Sequence, residues 1–240
     1  MPFNMHEPPF SRLLTSNDPR RDHPKSLVEF AYEQLLSMLM TMKLEPGAHI
    51  GIEALARELG ISQTPIREAL TLLEAQKLVH KIPNVGFRTA NLLSREDVNA
   101  LFEIRLLLEP AMAALAAERA NDRTLKHLTL IAKKLELSSK GNETAYAQFA
   151  EGDAHLHQLI AAATGNRFIA DANESLHVHL HIFRLLYKTN STERAVTEHA
   201  KLIEALNARD PAAAEQAMRE HLIASRDRLD NAMLAQEADK

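Results

Sequence analysis

The sequence predicts a mainly α protein, with an N-terminal winged helix-turn-helix followed by a C-terminal all-α antiparallel bundle. Ala, Leu and Glu dominate, and there are only 7 glycines in 240 residues, a composition that favours helix. Residues 26–93 read in order as helix, short helix, glycine turn, helix and a pair of short strands. From residue 94 onward the spacing of apolar residues is helical throughout.

The elements follow one by one. Residues 1–25 are Pro-rich, polar and aperiodic, which reads as a flexible arm whose Arg20-Arg21 pair is solvated or touches phosphate. Ser26 to Lys43 is a helix with Leu27, Phe30, Leu35, Leu39 and Met42 as its apolar positions, stopped by Glu45-Pro46-Gly47. A short helix spans Ile52 to Leu59, and Gly60 ends it. Ser62 or Thr64 caps the next helix, which tolerates Pro65 in its first turn and runs to Gln76. Leu78–Ile82 and Phe87–Ala90 are strands joined by Pro83-Asn84-Val85-Gly86. The second helix of the helix-turn-helix is the one that enters a major groove in this arrangement, and the hairpin is the wing. Residues 94–237 form the second domain. Ser94-x-x-Asp97 is a capping box opening a helix to Arg119. Further helices are expected at 122–137, 144–164, 167–188, 192–208 and 211–236, which makes a bundle of six. Asn190 or Ser191 caps the fifth; Asp210-Pro211 is an N-cap followed by a first-turn proline.

Composition narrows the classes. The chain has no cysteine, which removes disulfides, thiolate metal sites and a cysteine nucleophile, and fits a cytoplasmic protein. No apolar leader and no run of 18 apolar residues occurs, so neither secretion by a signal peptide nor membrane spanning is expected. Residues 1–93 carry 10 Lys/Arg and 10 Asp/Glu, so any contact with nucleic acid relies on local placement of cations rather than on a basic domain.

The strings Glu45-Pro-Gly, Ile52-Glu-Ala-Leu-Ala-Arg-Glu-Leu-Gly-Ile-Ser-Gln-Thr-Pro-Ile-Arg-Glu-Ala-Leu and Leu72-Leu-Glu-Ala-Gln-Lys-Leu-Val resemble the GntR family of bacterial regulators. The later Glu103-Ile-Arg-Leu-Leu-Leu-Glu and the histidines beyond it resemble its FadR-type, or FCD, subfamily, and six helices are closest to the shorter VanR-like branch. The resemblance spans residues 26–235. It implies a homodimer on palindromic double-stranded operator DNA, and a small effector in the helical domain that alters DNA affinity.

Thr64 and Arg67 match positions that touch DNA in that family. Arg67 suits a bidentate contact to guanine or a charge pair to phosphate; Gln63 suits adenine; Thr64 suits a phosphate at the helix N-terminus. Gly86 permits a tight wing tip. The family often has Arg where this chain has Gln63 and Val85, which points to weaker phosphate binding and an altered operator. The Arg contact that some members place at the position of Glu53 is not carried over. The competing reading of Arg67 is an ion pair with Glu68 or Glu74.

Twelve histidines are placed informatively. Asp153 and His157, four apart, share a helix face with Leu156 and Ile160 on or beside it, while His155 points away. His199 lies among Val196, Leu202, Ile203 and Leu206, and His221 among Ala214, Ala217, Met218 and Ala224. Burying these groups alone would be costly, and one shared divalent ion satisfies all four; zinc is expected first, with nickel, iron or manganese also suited. The resemblance points to the same set, Asp153, His157, His199 and His221, as the metal site. Separately hydrogen-bonded core histidines are the competing reading. Arg105, on the apolar stripe with Leu101, Leu108 and Met112, suits either a carboxylate clamp for an organic-acid or sugar-acid effector or an internal pair with Glu109. Of His177, His179 and His181, His179 faces the core and lines the effector pocket or hydrogen-bonds there, while His177 and His181 share a polar face with Arg184 and Lys188 and are expected to be solvated. Two other functions remain open at this point: a helical metalloenzyme carrying a DNA-binding domain, and a regulator that senses only the metal.

Overall fold

The structure is a computed structural model that describes residues 26–238 except 177, 188 and 190. The expected arm at 1–25, with Arg20-Arg21, lies outside the described residues, as do His177, Lys188 and Asn190.

Helix α1 (Leu27–Met40) starts at Ser26, whose Oγ accepts from Glu29 N while Glu29 accepts from Ser26 N. It stops three residues before the expected end. The Thr41 hydroxyl and amide both turn back to Ser37 O, and Met42 follows in the left-handed region at φ 61°. A strand the sequence reading missed, β1 (His49–Ile50), comes next. Two residues carry no period, and β1 exists only because β3 pairs with it. Helix α2 (Ile52–Leu59) ends at Gly60 in the left-handed region, and α3 (Gln63–Ala75) follows. Ser62 occupies the N-cap position but makes no side-chain cap, and Thr64 lies inside the first turn. Strands β2 (Val79–Ile82) and β3 (Gly86–Thr89) are antiparallel, with Lys81 opposite Phe87, and the sheet order is β1-β3-β2. Asn84 at φ 60° and Gly86 at φ 116° turn the hairpin.

Among the described residues seven helices follow. They are α4 (Arg95–Arg119), α5 (Asp122–Ser138), α6 (Glu143–Ala163), α7 (Arg167–Leu176), α8 (Val178–Leu185), α9 (Ser191–Asn207) and α10 (Pro211–Ala238). The expected helix at 167–188 is represented by α7 and α8, on either side of residue 177. The Ser94 capping box, the Asn121 and Asn142 caps and the Asp210 cap, which accepts from Ala213 N, set the starts of α4, α5, α6 and α10. Ser191 is not a cap: its hydroxyl is buried without a hydrogen-bond partner. The first and last helices of this series, α4 and α10, pack against each other along their length, and α9 packs on α10.

One apolar core runs from Leu35, Ile66 and Leu70 beneath the three-stranded sheet to Leu128, Phe149, Ile160, Leu202 and Met218 among the helices. A smaller cluster joins Val98 and Phe102 of α4 to Ile182 and Leu185 of α8 and Leu229 of α10. The N-terminal elements are therefore packed onto the bundle rather than tethered to it. Polar ties join the same parts, among them Lys43 Nζ to Glu143 of α6 at 2.6 Å. Lys77 Nζ donates to Ser175 O at 3.1 Å, and Arg184 Nη2 to Ala90 O at 2.8 Å, with Nη1 to Asn91 O at 3.5 Å.

Candidate functional site

Two surfaces stand out, one at the start of α3 and one deep in the bundle. On α3, Pro65, Ile66, Ala69 and Leu70 face the core, which leaves Gln63, Thr64, Arg67 and Glu68 exposed. Arg67 makes no ion pair with a carboxylate among the described residues. Its Nη2 reaches Gln63 Oε1 at 3.4 Å, and Glu74 instead accepts from the Lys81 amide at 3.1 Å. At the wing tip Val85 is exposed, and His49 Nε2 lies 3.2 Å from Val85 O. Gly86 adopts a φ that L side chains rarely take, and an added Cβ would stand 3.5 Å from His49.

In the bundle, α6 supplies Asp153 and His157, α8 His179, α9 His199 and α10 His221, and all five are buried. The predicted four do converge. One ring nitrogen from each of His157, His199 and His221 falls within 4.8 Å of the others. Asp153 Oδ1 stands 3.2 Å from His199 Nε2. The fifth, His179, donates from Nδ1 to Asp153 Oδ2 at 2.9 Å, and its ring lies 4.3 Å from that of His157. His155 points away, as expected, and stacks edge-on against His127 of α5.

Around this cluster sit two carboxylates the sequence reading did not assign to it. Glu109 Oε2 holds His157 Nδ1 at 2.6 Å, and Glu198 Oε2 holds His221 Nδ1 at 2.8 Å. Each fixes one ring nitrogen so that the other points into the cluster, the usual arrangement behind an imidazole ligand. Burial alone would raise the Asp153 carboxyl, but the His179 hydrogen bond and the neighbouring imidazoles hold it well below the carboxylate range. Burial lowers His179 to about 4 and pushes His199 and His221 down as well, so these rings stay neutral and able to donate a lone pair.

The donor set fits a divalent ion. His157 Nε2 and His199 Nδ1 are buried with no hydrogen-bond partner, and His199 Nε2 has only its 3.2 Å ion-pair contact with Asp153, a cost that an ion bound among them would remove. Three imidazoles and a carboxylate suit zinc and its neighbours.

Arg105 is 1% exposed and lies against the Glu109 carboxylate through Nε at 2.5 Å and Nη2 at 3.2 Å. The internal pair is thus formed, and the two-pronged face of the guanidinium is taken. Arg105 still lines the cavity beside Asp153, His179 and His221, a void of about 10 Å³, the size of one water. The expected polar face of α8 needs correction. Arg184 is 1% exposed, not solvated, because it turns inward to the carbonyls of Ala90 and Asn91, and His181 is half-buried.

A three-helix unit with a wing at one end and a polar cavity among helices at the other define a DNA-binding transcription regulator with a ligand-sensing domain. Comparison with known proteins gives the family. Residues 27–88 match the bacterial regulatory proteins of the gntR family, and residues 100–224 match the FCD domain. The chain belongs to the FCD-domain regulators of the GntR family. It is 28% identical over 209 residues to the Bacillus subtilis regulator YdhC, covering 85% of this chain and 92% of that one. It is 28% identical to LutR of the same organism over 77% of this chain and 93% of that one, and 23% identical to the B. subtilis gluconate operon repressor over 88% and 87%. The fold matches Escherichia coli McbR/YncC with a TM-score of 0.63 at 23% identity, over 90% of this chain and all of the other. The relatives are transcription factors, so the metalloenzyme alternative is set aside. No helix among the described residues is long and apolar enough to cross a membrane.

Proposed function

We propose that the chain is a homodimeric repressor or activator whose affinity for a palindromic operator is set by a carboxylate metabolite bound at a divalent metal, zinc first, held by Asp153, His157, His199 and His221. The convergence of these four side chains from three helices, with ring nitrogens left unpaired in the core, carries the reading. When bound, the ion supplies positive charge and coordination positions that a carboxylate can share. Glu109 and Glu198 orient the imidazoles from behind. Arg105 Nη1 makes no hydrogen bond among the described residues, so Arg105 offers the metabolite one edge and its charge rather than a two-pronged clamp.

Gln63, Thr64 and Arg67 of α3 face the major groove, and Gly86 shapes the wing that follows the backbone. Each protomer reads one half-site, and two recognition helices must keep a spacing near one helical turn of DNA. The coupling runs through α8: His179 at one end touches Asp153, and Arg184, five residues on, holds Ala90 and Asn91 where the wing meets α4.

The test is metal analysis of the purified chain after metal removal and zinc add-back, followed by gel shift on operator DNA with and without sugar and hydroxy acids. Stoichiometric zinc, lost in His221→Ala, and an acid-dependent change in DNA affinity are expected. No stoichiometric metal would remove the site from the reading. A second reading, a sensor of the metal alone, is favoured by the water-sized void. It predicts that zinc by itself switches DNA binding and that no acid changes the result.

A further inference from the structure

A second cavity lies where the wing meets the bundle. It is a cleft of about 390 Å³, inside the range of small-molecule sites, about 300–1,000 Å³. Lys77 and His80 line it from the DNA-reading half, Ala90 and Asn91 from the link between β3 and α4, and His181 of α8 from the bundle. It shares no lining residue with the water-sized void beside the histidine cluster. Helix α8 stands between the two. His179 lines the void, and His181, two residues on and so about 200° round the helix, lines the cleft.

The lining is of two kinds. Leu92, Leu93, Leu101 and Leu176 are half-buried and pack on the smaller apolar cluster, so each still presents apolar surface to the cleft. The charged groups are unevenly matched. Lys77 Nζ donates to Ser175 O at 3.1 Å and pairs with no carboxylate among the described residues. Arg184 lies behind the carbonyls of Ala90 and Asn91. It is buried, its Nε makes no hydrogen bond, and it too pairs with no carboxylate among the described residues. Against these two cations the cleft offers one acid, Asp97, whose carboxylate is already bound to the amide and hydroxyl of Ser94 as part of the α4 cap. One positive charge is left over beside four leucines, even with both imidazoles neutral. That pairing of surfaces complements a molecule with one negative group and an apolar body.

We propose that this cleft is a second small-molecule site, one that takes an amphipathic monoanion, with Lys77 at the charged group and the leucines against the apolar body. A ligand seated there touches the DNA-reading half and the bundle at once. It needs no metal, so the inference stands apart from the reading above.

The probe is anilinonaphthalene sulfonate, an aromatic monoanion whose sulfonate is a poor ligand for zinc, titrated by fluorescence into the full chain with and without zinc. A single saturable site per chain is expected in both forms. Phenylnaphthylamine, the same rings without the sulfonate, is expected to bind about fivefold more weakly, and Lys77→Met to weaken the sulfonate about threefold. Leu101→Trp, which sets an indole in the cleft, is expected to weaken it about tenfold or more. Melting temperatures check the fold of both variants, and the exposed Lys77 carries the test if the tryptophan variant melts early. Neutral rings that equal the sulfonate, undiminished affinity in a folded variant, binding that appears only with zinc, or the absence of a saturable site overturns the inference.

Discussion

Arg67 projects from the second turn of α3 with no carboxylate paired to it among the described residues, next to the exposed Gln63 and Thr64. A cation with no ion pair among the described residues is available to DNA. Arg67→Ala is expected to weaken operator binding by about 1–3 kcal/mol in a gel shift, with no change in melting temperature. The buried rings give a second prediction. Burial, then the charges of His157 and Arg105, hold His179 at about 4 when folded, against about 6.5 in an unfolded chain. The unfolded state therefore binds the proton at higher pH, and stability falls as pH drops from about 6.5 toward 4. That amounts to about 2 kcal/mol between pH 7 and 5 from this ring alone, to be read from urea melts of the metal-free protein. Glu198, held at about 2 against its burial by His221 and Arg228, adds a further loss as pH falls below about 4.5. Flat stability from pH 7 to 5 would contradict the assignment of a neutral, buried His179. The convergence of Asp153, His157, His199 and His221 was legible in the sequence because each lies on the apolar stripe of its helix. Glu198 was not: its contact with His221 depends on the register between α9 and α10, which neither helix encodes alone. Glu198→Gln is expected to lower zinc affinity about 10–100-fold in a chelator competition while leaving the fold intact.

Among the elements, starts were easier to read than interiors. The Ser94 capping box is formed as expected, with Ser94 Oγ accepting from Asp97 N at 3.1 Å. It fixes the first turn of α4, the helix that carries Arg105 and Glu109. Ser94→Ala is expected to cost about 1 kcal/mol in thermal or urea unfolding. Helix α8 was misread on its polar side because a helical wheel assigns Arg to water, whereas Arg184 is folded under the chain that links wing to bundle. Its burial brings it down to about 10, and no carboxylate faces it among the described residues. Strand β1 was invisible because its two residues become a strand only through His49 opposite Arg88 and Ile50 opposite Phe87.

For the whole molecule, the class and order of elements were written in periodicity and caps, whereas the contact between the two halves was not. That contact is an unbroken core plus polar ties that include Lys43 to Glu143 on α6 and Arg184 to Ala90 on α8, both helices that carry side chains of the candidate metal cluster. Arg184→Met keeps the bulk and removes the hydrogen bonds to Ala90 and Asn91. It is expected to leave zinc and acid binding in place while abolishing the acid-dependent change in operator affinity; a full response in the variant would reject α8 as the coupling element. The pairing of α4 with α10 has a consequence for the order of assembly. The bundle's opening helix meets its long partner only when the last stretch of the chain has been made, and His221 is carried on that stretch. During synthesis the N-terminal elements are therefore complete before the side chains of the candidate metal cluster have all been made. A product truncated before α10 therefore carries the residues of the recognition helix but lacks His221 and the core residues Met218 and Leu222.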